Sequence, residues 1–118
     1  MLNCEEFEKI DEIYPILIKE ELFLKLIENL NNNAFITFIY CLVHASPETK
    51  MLYERTINRG ELYGEYDRLL RDFQVSKATL LRRLDWLQKN GYIYVNRDKN
   101  GVLVKIQGYD DYQRSDID

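Results

Sequence analysis

Histidine occurs once in this chain of 118 residues, and cysteine and proline only twice each. A lone His44, with Cys4 and Cys41 far apart, offers no metal-ligand spacing and no disulfide framework. Such sparse cysteine usage suits a reducing compartment, so a cytoplasmic location is expected. The five glycines are scattered, and no glycine-rich loop exists to cradle a nucleotide phosphate. The carboxylate groups Glu5, Glu6 and Glu8, and Glu20 and Glu21, read as solvated helix faces. No acid–base or nucleophile set can be assembled from these residues, so neither an enzyme nor a cofactor is expected. Long apolar runs are also missing. The longest, "AFITFIYCLVHA", is too short to span a bilayer. The acidic start "MLNCEEFEKI" lacks the apolar segment of a secretory leader.

What is present is a folded domain's composition, 46% apolar and 31% charged. Its length allows one domain with a single core over residues 1–118. The expected division is a helical extension at 1–34, a core at 35–113 and a tail at 114–118. The net charge of -4 is unevenly spread. Residues 1–75 carry 8 Lys and Arg against 14 Asp and Glu, residues 76–107 carry 7 against 2, and residues 108–118 carry 1 against 4. One segment is therefore basic, at +5, between acidic segments of -6 and -3. A local basic patch governs phosphate binding, and an acidic remainder lowers affinity and on-rate.

Periodicity orders the elements. "CEEFEKIDEIY" has helical spacing up to Pro15, and "PILI" reads as a short strand. "KEELFLKLIENL" predicts a helix stopped by Asn31, Asn32 and Asn33. Phe35, Phe38, Ile39 and Leu42, with Ile36 and Val43 alongside, predict a mostly buried helix. "SPETK" is a turn, and "MLYERTINRGELY" reads as an irregular or short-strand connection. "GEYDRLLRDF" predicts a short helix with Tyr66, Leu69, Leu70 and Phe73 facing inward. After the turn "QVS", whose Val75 seals the core, Ser76 is placed to cap a helix with Leu80, Leu84 and Leu87 on one face. "KNG" ends that helix, with Gly91 in the left-handed position. "YIYVNR" and "VLVKIQ" alternate as strands do, and the Asn-Gly of "DKNG" signals a hairpin between them. Helix, turn, helix and hairpin in that order predict an α+β, mostly helical fold: a winged helix-turn-helix with a C-terminal hairpin wing and extra N-terminal helices.

At 100° per residue from Leu80, Leu84 and Leu87 fall within about 40°. Ala78, Arg82 and Lys89 fall on the opposite side, with Asp85 beside them. Thr79 and Trp86 sit on a flank, and Arg83 lies nearer the core boundary. In a helix-turn-helix the first residues of this second helix reach base edges in the major groove. The candidate DNA-binding residues are therefore Ser76, Lys77, Ala78, Thr79, Arg82 and Arg83. Ala78 is small enough for close approach, and Arg82 suits a guanine edge or a phosphate. Ser76 caps first and presents a helix N-terminus to a phosphate second. At the hairpin tip, Arg97, Lys99 and Asn100 are placed for phosphate contacts, which position the protein without reading sequence. A basic helix face is usually only solvated, and Asp85 could pair with Arg82 and mute the patch. Leu81 and Trp86 are candidate interface residues, by packing within the chain or against a second copy.

From about Leu22 to Gln113 the chain resembles the N-terminal winged-helix domains of DnaD-type primosomal proteins and phage replisome organisers. The likeness rests on "AFITFIYCLVHA", on "INRGELYGEYDRLLRDFQVSKATLLRRLDWLQKNGYI", on the wing "RDKNGVLVKIQG" and on the ending "YDDYQ". It implies double-stranded DNA binding, often with self-association, in replication start-up. Leu81 and Asp85 depart from the polar or basic residues frequent at those positions, and no second domain follows "YDDYQ" in this sequence. The resemblance thus points to a stand-alone DNA-binding protein of a phage or mobile element, in replication initiation or transcription regulation. A homodimer would present two groove helices to a two-fold site. The other reading is a protein-interaction or oligomerisation module that keeps the fold without binding DNA, as pI 5.1 and the acidic N-terminal arm suggest.

Overall fold

The computed structural model describes residues 20–52 and 54–112, with side chains from Leu24 onward. The helix and strand expected before Pro15 and Lys19 lie outside the described residues, as do Cys4 and the tail. The elements are α1 (Glu20–Asn29), α2 (Asn32–His44), β1 (Lys50–Leu52), β2 (Arg55–Ile57), β3 (Glu61–Glu65), α3 (Tyr66–Phe73), α4 (Lys77–Lys89), β4 (Ile93–Arg97), β5 (Gly101–Ile106) and α5 (Tyr109–Tyr112). This is a small α+β fold with two antiparallel sheets. One sheet is the hairpin β1–β2, and the other has the order β3-β5-β4.

Helix α2 is the central rod. Phe38 and Leu42 are fully buried, and Phe38 takes the edges of Tyr92 and Tyr112 at 5.4 Å each. Leu26 and Leu30 of the α1 segment join the same core. The three asparagines do more than stop α1. Asn31 caps α2 by accepting the Ala34 N–H at 2.8 Å, and Asn32 and Asn33 form its first turn. The expected burial of α2 is too broad on one side: Ile36 is 56% exposed, and Val43 is also exposed.

The segment read as an irregular or short-strand connection takes the second form and is built of short strands. β1 and β2 form a tight hairpin in which Glu54 has φ 62°. β3 pairs with β5 along its whole length. Gly64 and Glu65 belong to β3, so the following helix begins at Tyr66, two residues later than the periodicity predicts. Tyr66 and Leu69 are buried, while Leu70, Phe73 and Val75 are half-buried against the core.

Two distant segments dock on one another. Gly60, at φ 83°, lies so close to Tyr109 that an added Cβ would stand 2.9 Å from its side chain. The Gly60 carbonyl accepts the Ile106 N–H at 2.9 Å. Arg59 stacks over the Tyr109 ring at 5.2 Å and reaches Asp110 at 2.7 Å. The "RGEL" opening and the "YDDY" ending are therefore one packed unit. Among the described residues no helix is long and apolar enough to cross a membrane.

Candidate nucleic-acid interface

Helix α4 is fixed by Leu80, Leu84 and Leu87, all buried. Its opposite face is consequently presented outward. Ser76 starts the helix by accepting the Thr79 N–H at 3.2 Å. The Ser76 hydroxyl also donates to the Thr79 hydroxyl at 3.0 Å, which in turn accepts from the Arg82 guanidinium at 3.3 Å. These bonds tether Arg82 along the first two turns. Ala78 is exposed beside them. The Lys77 ammonium sits 4.1 Å from the Tyr66 ring centre, a cation–π contact that holds it near the start of α3.

The hairpin tip is organised by Asp98, not by a left-handed turn. Neither Lys99 nor Asn100 has a positive φ. The Asp98 carboxylate accepts both the Asn100 and Gly101 N–H groups at 2.8 Å. It also accepts the Tyr63 hydroxyl at 2.9 Å and pairs with Arg55 at 2.7 Å. Gly101 is required because β3 passes close by: an added Cβ would stand 2.2 Å from the Gly64 carbonyl oxygen. The Asn100 carbonyl accepts the Tyr66 N–H at 2.9 Å, which ties the tip to the first turn of α3. The Asn-Gly signal thus marks the right place through a different geometry.

Three clefts surround α4. Arg82 and Arg97 line a groove of about 440 Å³ with Leu81, Asp85 and Gln88. Lys77, Lys99 and Asn100 line a cleft of about 590 Å³ together with Tyr66 and the carboxylates of Glu65 and Asp67. Thr79, Arg82, Arg83 and Trp86 line a pocket of about 250 Å³ against Asn31 and Asn33 at the start of α2. Every expected site residue except Ser76 and Ala78 borders one of these spaces. Arg83 and Lys99 border different spaces.

Asp85 pairs with Lys89 at 3.0 Å, and no carboxylate of the described residues lies within 4.0 Å of Arg82. The sequence placed Asp85 beside both bases, and four residues from acid to following base is the better helical geometry. Leu81 is half-buried against the core. Trp86 is 37% exposed and lies nearly parallel to Tyr92 at 6.5 Å, so one face packs within the chain.

Several residues here escaped the sequence reading. Asn31 and Asn33 were read only as a helix stop. Gln88 bonds the Val95 N–H on the free edge of β4 at 2.7 Å, a contact without any sequence signature. Arg55 and Tyr63 support the tip from the segment read as an irregular or short-strand connection. Among the described residues no group of three or more His, Cys, Asp or Glu side chains could hold a metal ion. No protein-family model matches the chain, and no curated protein or solved structure shows significant similarity to it.

Proposed function

We propose that the chain is a winged helix-turn-helix protein that binds double-stranded DNA, with α4 as groove helix and the β4–β5 hairpin as wing. One observation carries this reading. The basic side chains of the candidate face, Lys77, Arg82, Arg83, Arg97 and Lys99, are gathered on one helix and the neighbouring hairpin and, like the scattered Lys50, Arg71 and Lys105, have no carboxylate of the described residues within 4.0 Å, whereas Arg55, Arg59, Arg68 and Lys89 are ion-paired. The face keeps its charge unneutralised, as a phosphate-binding surface must. In this reading Ala78, Thr79 and Arg82 meet base edges, while Lys77, Arg97 and Lys99 hold phosphates. The likeness to DnaD-type and replisome-organiser domains supports a role in replication initiation or transcription regulation of a phage or mobile element. Such a protein would act in the cytoplasm without catalytic activity of its own.

The test is fluorescence anisotropy of mixed-sequence duplex DNA at two salt concentrations. Binding at micromolar protein that weakens with salt, and is lost in the Lys77→Ala/Arg82→Ala/Arg97→Ala triple variant, is the expected result. Binding indifferent to these three residues overturns it.

A second reading has its own observation. Leu24, Ile27 and Ile36 are more than half exposed on α1 and α2, an apolar display that favours self-association. The wild-type chain should then sediment as a homodimer, and Ile27→Glu with Ile36→Glu should yield a monomer. An interaction module that ignores DNA would show this change and no anisotropy signal.

A further inference from the structure

A separate cleft lies between α2, the β1–β2 hairpin, β3 and α3. It encloses about 280 Å³ and borders none of the residues assigned to DNA. That volume is just below the range of drug-sized ligand pockets, roughly 300 to 1,000 Å³, and suits only a small group. Leu52, Ile57 and Leu69 supply an apolar floor, and His44, Lys50 and Arg68 supply nitrogen donors. We infer that this cleft is a binding site for a small oxyanion, a phosphate or carboxylate group held by Arg68 and Lys50 with His44 as a third donor.

From α2, Tyr40 donates its hydroxyl to Asp72 at 2.6 Å and stacks on the His44 ring at 4.2 Å, which fixes the imidazole. From α3, Arg68 meets Asp72 only at 3.8 Å through Nε, beyond hydrogen-bond length, and its side chain is 61% exposed. Asp72 is more closely engaged by Tyr40, and the Arg68 guanidinium keeps capacity for a second, better-placed acid. From β1, Lys50 has no carboxylate of the described residues within 4.0 Å. From β3, Glu61 borders the cleft but is buried, with its carboxylate oriented by the Asn58 N–H it accepts at 2.8 Å from the turn before β3. Tyr63 also belongs to β3, and its hydroxyl is turned to Asp98. The cleft therefore gathers two cations and a histidine beside two carboxylates, Asp72 and Glu61, each already engaged by a hydrogen-bond donor within the chain. His44 titrates below its usual range, first because burial disfavours the imidazolium and second because Arg68 is near, with Asp72 opposing. A bound oxyanion would reverse that balance and raise it.

His44 is the chain's one histidine, so its ring resonances are a unique reporter. The experiment follows the His44 Hε1 signal by NMR while inorganic phosphate, or separately acetate, replaces chloride at constant ionic strength. A saturable shift with Kd near or below about 1 mM, and a His44 titration moved to higher pH in the bound state, is the expected result. The two anions distinguish a phosphate site from a carboxylate site. Arg68→Gln and Lys50→Gln, both surface changes, should each weaken binding at least threefold, while Arg82→Ala leaves it unchanged. No saturable shift with either anion overturns the inference, as does a shift that survives in the Lys50→Gln/Arg68→Gln double variant. Because the readout involves no DNA, failure here is separable from failure of the DNA-binding reading.

Discussion

Gly91 and Gly101 constrain the backbone for different reasons. Gly91 has φ 84° but open space around its Cβ position. Gly91→Ala should lose only the left-handed backbone preference, about 1 kcal/mol. Gly101 has ordinary φ but no room, because the Gly64 carbonyl oxygen lies 2.2 Å from an added Cβ. Gly101→Ala must push β3 and β5 apart and should cost about 3 kcal/mol. Urea unfolding of the two variants checks the order, and equal losses would contradict it. Asp98 is held below the usual carboxylate range, first by the Asn100 N–H, then by Tyr63, Gly101 and Arg55, against desolvation. A folded-state value below the unfolded value of about 3.9 contributes stability that is fully present above that pH. It is lost as pH falls through the folded value. Asp98→Ala should therefore be less stable than wild type at neutral pH and show a flatter stability–pH profile below about pH 4, measured by thermal unfolding across pH.

At the scale of elements, legibility tracks repetition. Leu80, Leu84 and Leu87 behind a serine cap announce α4, because burial and capping act at fixed helical offsets. β3 could not be read this way. Its buried positions include Glu61, satisfied by a turn N–H, and Gly64, which has no side chain, so the period-two pattern is absent. The site is legible to the same degree. The basic residues can be counted on a helical wheel, but which of them loses its charge to a partner depends on side-chain reach, as Asp85 and Lys89 show. The joint between the Arg59–Gly60 turn and α5 was visible only as two separate motifs, since nothing in sequence reports a contact across about fifty residues. Its energetics have a clear ranking. Tyr109 is buried, whereas Arg59 and Asp110 are 45% and 80% exposed as side chains. Tyr109→Ala should cost about 3 kcal/mol, and the Arg59–Asp110 pair less than about 1 kcal/mol in a double-mutant cycle. A larger coupling than loss of Tyr109 would mean the joint is held by charge.

For the whole molecule the decisive quantity is how charge is distributed, because the net value of -4 opposes a polyanion. The ion pairs at Arg59 and Arg68 cancel cations elsewhere, while Lys89 on the outward face of α4 and Arg55 at the tip are taken up by Asp85 and Asp98. They leave five basic side chains on that face, so at most five phosphates can be neutralised. Each phosphate contact contributes about 0.9 to the slope of log K against log salt, so the slope should be no steeper than roughly -4.5. The acidic remainder reduces affinity at low salt without adding contacts, and this separates the two effects. Lys99→Gln should flatten the slope by about 0.9 and weaken all sequences alike. Arg82→Ala should cost about 1–3 kcal/mol on a preferred site and less on mixed sequence if its guanidinium reads a base. If both substitutions change only the slope, by equal amounts, Arg82 is a phosphate contact like Lys99. Specificity would then have to come from Ala78, Thr79 or the shape of the DNA.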